Sequence, residues 1–301
     1  MNREQGFKHF YKSDITHSLV YTEKERKGIV FQLALCIVIP IIVIPILSVV
    51  YLETNMEWVL IPVIVLLVGS PIYINKLFGD TNFYRNFKRK IIGKIIKYIN
   101  PSLDYDNVLK VDDIEYDNSK FFENTNTVLY GDDHVSGVIN DIRVEFSELV
   151  AEFRNVADQK EAGSKYQFKG LFFIAEYKTY FPSQIVIKTA GLLFHGSEYD
   201  VTKNENFNTL FKSKVISNRD KTEKVLTPEV LSLIIDLQAK IHHEFMISFI
   251  DNKIYLGIQH DEDLFEPTLF QSMKNYDKIK GYFDDLYYPL TFLEEITKLR
   301  F

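Results

Sequence analysis

The densest collection of reactive side chains in the sequence is Tyr130-Gly131-Asp132-Asp133-His134-Val135-Ser136-Gly137. Acids, an imidazole and a hydroxyl so close together are the ingredients of a hydrolytic centre or a metal site. Their spacing opposes both uses. In an extended segment, neighbouring side chains point to opposite faces, so Asp133 and His134 cannot share one target. Glycines and aspartates in this order instead suit a tight turn or a bulge. In Val144-Glu145-Phe146-Ser147-Glu148, alternation puts Glu148 on the face of Val144 and Phe146 and turns Glu145 and Ser147 the other way. An acid on an apolar face is a buried carboxyl with a raised pKa, a strand-end residue, or the partner of an arginine such as Arg143 or Arg154. Glu148, Asp132 and Asp133 are thus the acids best placed for catalysis.

Other polar groups offer less. His242-His243-Glu244 has neither an HExxH nor a His-x3-His spacing, and adjacent histidines on a strand face apart. His195-Gly196-Ser197 lacks the Gly-x-Ser-x-Gly elbow of a serine nucleophile. Asp261-Glu262-Asp263 lacks the glycine and terminal glutamate of a calcium loop and reads as a solvated connection. There is no glycine-rich phosphate loop, dinucleotide fingerprint or kinase signature. No metal and no cofactor are expected, and enzymatic activity has no motif to carry it.

The elements that hold these residues are extended in the first half of the region 101–301. Residues 127–140 and 142–154 form a hairpin turning at Asn140-Asp141. Residues 166–180 pair with 184–189 through a turn at Pro182-Ser183, and 246–250 pair with 253–259 through Asp251-Asn252. Thr227 before Pro228 and Glu229 caps a helix with an apolar face at Val230, Leu231, Ile234, Leu237 and Ile241. A last helix covers about 277–299. Hairpins with segregated helices define an α+β class with an antiparallel sheet and flanking helices.

The first quarter of the 301-residue chain is different. Residues 28–52 carry no charge, and a bilayer core needs about 20 helical residues. Residues 58–75 form a second uncharged run. Only Glu53, Thr54, Asn55, Met56 and Glu57 separate them, enough to turn a transmembrane helical hairpin over 28–75. Arg3, Lys8, Lys12, Lys24, Arg26 and Lys27 precede the first run. Lys76, Arg85, Lys88, Arg89, Lys90, Lys94 and Lys97 follow the second, whereas the turn holds only acids. The positive-inside bias places both termini in the cytoplasm of a two-pass inner-membrane protein, with Tyr51 and Trp58 in the outer aromatic belt. The spans hold no ionisable group except Cys36, which disfavours a transporter.

Flanking segments are amphipathic. Over 1–27, Phe7, Tyr11, Ile15 and Leu19 make one stripe; over 76–100, Phe83, Phe87, Ile91, Ile95 and Ile99 make another, beside a basic row at Lys90, Lys94 and Lys97. Those lysines suit an anionic leaflet, or the two helices pair as a stalk. Residues 101–301 hold 22 basic and 34 acidic residues, a formal net of −12. A body this acidic is unsuited to phosphate backbones, so nucleic acid is not expected as a partner.

The order of short motifs points to a relative. After the two-span anchor come Gly131-Asp132-x4-Gly137, Glu145-Phe146-Ser147-Glu148-Leu149, Phe168-x-Gly170-Leu171-Phe172-Phe173, Phe207-x3-Phe211, Leu226-Thr227-Pro228-Glu229 and Phe265-Glu266-Pro267. This order resembles an uncharacterised bacterial family, domain of unknown function 3137. The resemblance implies an inner-membrane protein with a cytosolic domain, and no catalytic residues. The resulting expectation is a membrane-anchored cytoplasmic interaction or sensing module, with the lipid bilayer and either a protein partner or a second copy as its contacts. A membrane-linked carboxylate enzyme and an oligomerising membrane effector are the alternatives.

Overall fold

The computed structural model describes residues 3–78, 81–123, 126–192 and 201–301. They form two compact units: Met1–Ile91 with Glu266–Asp277, and Ile92–Phe265 with Lys278–Phe301.

In the first unit, α1 (Arg3–Phe10) runs through a π-helical turn (Tyr11–Ile15) into α2 (Thr16–Thr54), 39 residues long. Asn55 ends α2 in the left-handed region, φ 52°, and its N–H donates to the Tyr51 carbonyl at 2.8 Å. After a short turn at Glu57–Val59, α3 (Leu60–Phe78) returns beside α2, and the Tyr73 hydroxyl donates to Gln32 at 3.2 Å. Helices satisfy their own backbone polar groups, which is what an uncharged run needs in hydrocarbon. Pro40 and Pro45 in α2 and Pro71 in α3 are accommodated within the helices. Both helices are long and apolar enough to cross a membrane, and only 6% of each apolar window is buried. Phe31, Ile41, Ile61 and Ile72 are all more than 60% exposed, the opposite of a core helix.

Next, α4 (Thr81–Phe87) and a π-helical turn (Lys88–Ile92) lead into α5 (Gly93–Ile99). Phe7, Ile15 and Leu19 from one amphipathic row and Phe83, Phe87 and Ile91 from the other are buried, and α2 touches α4. Residues 266–277 complete this unit. Arg26 grips both oxygens of Glu23, at 2.9 and 2.7 Å, and also donates to the Leu269 carbonyl. Glu23, 6% exposed, accepts from the Met273 N–H at 3.1 Å. Lys88 pairs with Glu266 at 3.5 Å, and Tyr11 donates to the Lys274 carbonyl. The Arg26 hydrogen bonds, with the Met273 N–H, hold the Glu23 carboxyl below its ordinary 4.5 against the opposing effect of burial.

The second unit is an eight-stranded antiparallel sheet, completing the α+β class expected from sequence. Its strands are β1 (Asp104–Asp106), β2 (Thr127–Ile139), β3 (Ile142–Phe153), β4 (Tyr166–Glu176), β5 (Gln184–Thr189), β6 (Phe211–Ser217), β7 (Phe245–Ile250) and β8 (Lys253–Gln259), in the order β1-β2-β3-β4-β8-β7-β5-β6. The β2–β3 hairpin turns at Asn140 and Asp141, both left-handed at φ 49° and 65°, as a two-residue primed turn demands. The β7–β8 hairpin turns at Asp251-Asn252 as expected. The proposed pairing of 166–180 with 184–189 is not found. Instead β4 pairs with β8, and β5 lies between β7 and β6. The physical reason is the route of the connection. Tyr177 and Phe181 donate their N–H groups to Asn252 and Asp251, at 2.6 and 2.7 Å, so the chain crosses the β7–β8 turn before β5 begins.

Alternating residues of β4 feed both faces: Phe168, Phe172 and Ile174 join Tyr116, Phe121 and Tyr255 in one cluster, while Leu171 and Phe173 are buried on the other side. Short helices α6 (Asp113–Asn118), α7 (Val156–Ala162), α8 (Glu205–Leu210) and α9 (Thr222–Val225) occupy connections. Thr227 caps α10 (Pro228–Lys240) as expected, accepting from the Val230 N–H, and α11 spans Tyr276–Ile296. Gly170 sits at φ +147°, and a Cβ there would lie 2.0 Å from the Ile258 carbonyl oxygen.

Gly170→Ala is expected to destabilise the full-length protein in detergent by about 1–3 kcal/mol or more, read as a lowered midpoint of thermal or denaturant unfolding. The lowered Glu23 pKa predicts a pH effect of definite sign. Its contribution is fully present above the ordinary carboxylate value and is lost as pH falls from there through the lowered folded-state value. Glu23→Gln should therefore lower the melting temperature at pH 7 and flatten its decline on acidification, compared by melting curves between pH 7 and 3.

Candidate functional site

The three acids singled out from the sequence meet. Asp132 and Glu148 are cross-strand partners in the β2–β3 ladder, and the register slips between Asp132 and Val135. That bulge puts Asp133 at φ 57°, buried at 1% exposure. Carboxylate oxygens of Asp132, Asp133 and Glu148 consequently lie within 4.8 Å of one another. Their surroundings are structural. The Tyr105 hydroxyl donates to Asp133, and Glu148 accepts from the Leu264 N–H at 2.9 Å. Burial first, and the Asp133 charge second, push the Tyr105 phenol far above its ordinary pKa, so it stays a hydrogen-bond donor. His134 points elsewhere, to Glu145 at 3.6 Å, and its proximity holds the Glu145 carboxyl below the ordinary value. Glu148 is buried as its place on the apolar face requires, and the Leu264 N–H donates to it.

A cavity of this unit lies elsewhere. It has a volume of about 250 Å³ and is lined by Lys240 at the end of α10 and His242 and His243 after it, by Ile258 of β8 and His260 just beyond it, and by Asp284, Asp285 and Tyr288 of α11. Donor atoms of His243, His260 and Asp285 lie within 4.8 Å of one another. The two imidazole rings stand 4.1 Å apart, centroid to centroid. His243 is exposed, Asp285 half-buried and His260 buried at 7% exposure. Burial pushes the Asp285 carboxyl up to about 7, with the Asp284 charge adding to it. Burial also pushes the His260 imidazole down to about 3, with His243 adding to it. The pocket thus disfavours a charge on either group when no ion lies between them.

Sequence reasoning passed over this group because its members are far apart in the chain. It weighed His243 only against its neighbour His242, and local spacing gave no signal for His260 or Asp285. Asp261, Glu262 and Asp263 form the exposed loop expected, with Lys169 paired to Asp263 at 2.9 Å. His195 and its neighbours lie outside the described residues.

Of the residues expected at a membrane interface, Trp58 is 65% exposed and Tyr51 half-buried beside the α2–α3 turn. Lys90 lies 3.7 Å over the Tyr21 ring. Lys97 pairs with Asp104 at 2.9 Å, and Lys94 is exposed.

Residues 166–298 match the family described as "Protein of unknown function (DUF3137)". The family resemblance read from the sequence holds over that stretch. The match includes His243, His260 and Asp285 but leaves out Asp132, Asp133 and Glu148. No curated protein matches the chain by sequence. Among solved structures, the crystal structure of the mycobacterial trehalose monomycolate transport factor A, TtfA, is similar at 11% identity and a TM-score of 0.34, over 67% of this chain and 94% of that one. At that score the likeness carries no weight for function.

Glu148→Ala should strand the Leu264 N–H and lower unfolding stability by about 1–3 kcal/mol, whereas Glu148→Gln, which keeps an acceptor oxygen, should recover most of it. Denaturant titration of both variants checks this.

Proposed function

We propose that the protein is a two-pass inner-membrane protein with both termini in the cytoplasm, whose domain over 101–301 is an interaction or sensing module without catalysis. The observation that carries this reading is the pair of apolar helices, exposed along their spans and continuous with buried juxtamembrane helices. The charge bias across the hairpin supports the orientation. Residues 266–277 add a second support. They fold with the membrane helices while both flanks belong to the sheet unit, so the chain passes between the units at 91–92, 265–266 and 277–278. Three covalent connections suit a domain whose binding state is passed to a membrane anchor, or the reverse.

The net charge of −12 over 101–301 turns this domain away from nucleic acid and from anionic lipid, and leaves a protein partner or a second copy as its contact. Val108, Leu109 and Ile114 are apolar and more than half exposed, which supports such a contact. Asp132, Asp133 and Glu148 are read as a structural cluster because Tyr105 and Leu264 already engage two of them.

Single-cysteine variants in a Cys36→Ser background test the reading. Asn55→Cys should react with an impermeant maleimide in intact cells, and Lys203→Cys only after lysis. Labelling of Lys203→Cys in intact cells would overturn the topology. Native mass spectrometry of the gently extracted protein should show a defined oligomer or a bound protein, and a bare monomer would overturn stable assembly.

A further inference from the structure

We propose that His243, His260 and Asp285 form a binding site for one divalent transition-metal ion of the zinc class. Two imidazoles and one carboxylate converge at the cavity mouth, with donor atoms already within 4.8 Å of one another. Metal bonds of about 2.0–2.2 Å place ligand atoms roughly 3–3.5 Å apart, so donors within 4.8 Å of one another need only a small closure to hold an ion.

The observation that singles this cluster out is His260. It is 7% exposed and faces the cavity, and its imidazole makes no hydrogen bond among the described residues. The Asp285 carboxylate likewise has no hydrogen-bond or ion-pair partner among them. Both groups line the cavity, so an ion entering it reaches the imidazole and the carboxylate together.

Each member is set by the fold. The His260 N–H donates to the Lys169 carbonyl at 2.9 Å, which extends the β4–β8 pairing by one residue. His243 precedes Glu244, whose carbonyl accepts from the Gln259 N–H at 2.9 Å. Asp285 stands on α11 next to the buried Leu286. Two nearby charges are already engaged: Lys280 pairs with Asp284, and the Lys240 ammonium lies 5.9 Å from the Tyr288 ring centroid.

The donor set selects the ion. Imidazole with carboxylate suits zinc, nickel, cobalt and iron(II), whereas calcium and magnesium call for oxygen ligands alone. Three protein ligands leave a coordination position open toward the cavity, where water or an anionic group binds. The inference does not depend on the membrane orientation or on the interaction reading.

The full-length protein, purified in detergent without a histidine tag and stripped with chelator, is titrated with zinc by calorimetry, and bound metal is counted by elemental mass spectrometry. One equivalent is expected, with a raised melting temperature. Cobalt(II) in its place should give visible ligand-field bands. His260→Ala and Asp285→Asn should weaken binding more than about tenfold, while His17→Ala, an exposed histidine of the other unit, keeps it. Should the buried His260 variant fail to fold, the exposed His243→Ala carries the same test. Absence of stoichiometric binding by the wild type overturns the proposal, and so does undiminished binding by folded His243→Ala and Asp285→Asn proteins.

Discussion

Strand β4 hydrogen-bonds to β8 from Gly170 through Glu176, bringing the β2–β3–β4 meander against the β7–β8 hairpin. The order of the sheet follows from that one ladder. Once β8 occupies the free edge of β4, β5 can no longer fold back on its predecessor and docks beyond β7. The close approach also explains Gly170, because any side chain there would collide with the Ile258 carbonyl. At the end of the ladder it delivers His260 to the cavity beside His243.

The two polar clusters of the sheet unit differ in kind. Around Asp132, Asp133 and Glu148 the acids are tied to Tyr105 and to the Leu264 N–H, and they stabilise a bulge and a loop. Around His243, His260 and Asp285, the buried imidazole and the carboxylate have no such ties among the described residues, and the space beside them is open.

In the other unit, the lock at Glu23 and Arg26 plays the organising part. A buried, bidentate ion pair accepts a backbone N–H and donates to a backbone carbonyl of residues 266–277. Backbone groups of that segment thereby take up hydrogen-bonding capacity left on both partners, which helps to make a buried pair tolerable. This is how a stretch far from the spans in sequence comes to belong with them.

The pair of long apolar helices, the amphipathic rows, the α+β class and the β2–β3 and β7–β8 turns were legible in the sequence. Each is set by local physics: uncharged length, a period of 3.6 or 2, or a turn pair such as Asn140-Asp141 that tolerates positive φ. Tertiary structure alone decided the partner of β4, the place of residues 266–277, and the meeting of Asp133 with Asp132 and Glu148 through a bulge that breaks the alternation. It alone assembled His243, His260 and Asp285, from a loop, a strand end and the middle of a helix. Periodicity states which face of an element is buried, but not which other element covers it, and a site built from three elements leaves no spacing along the chain to read.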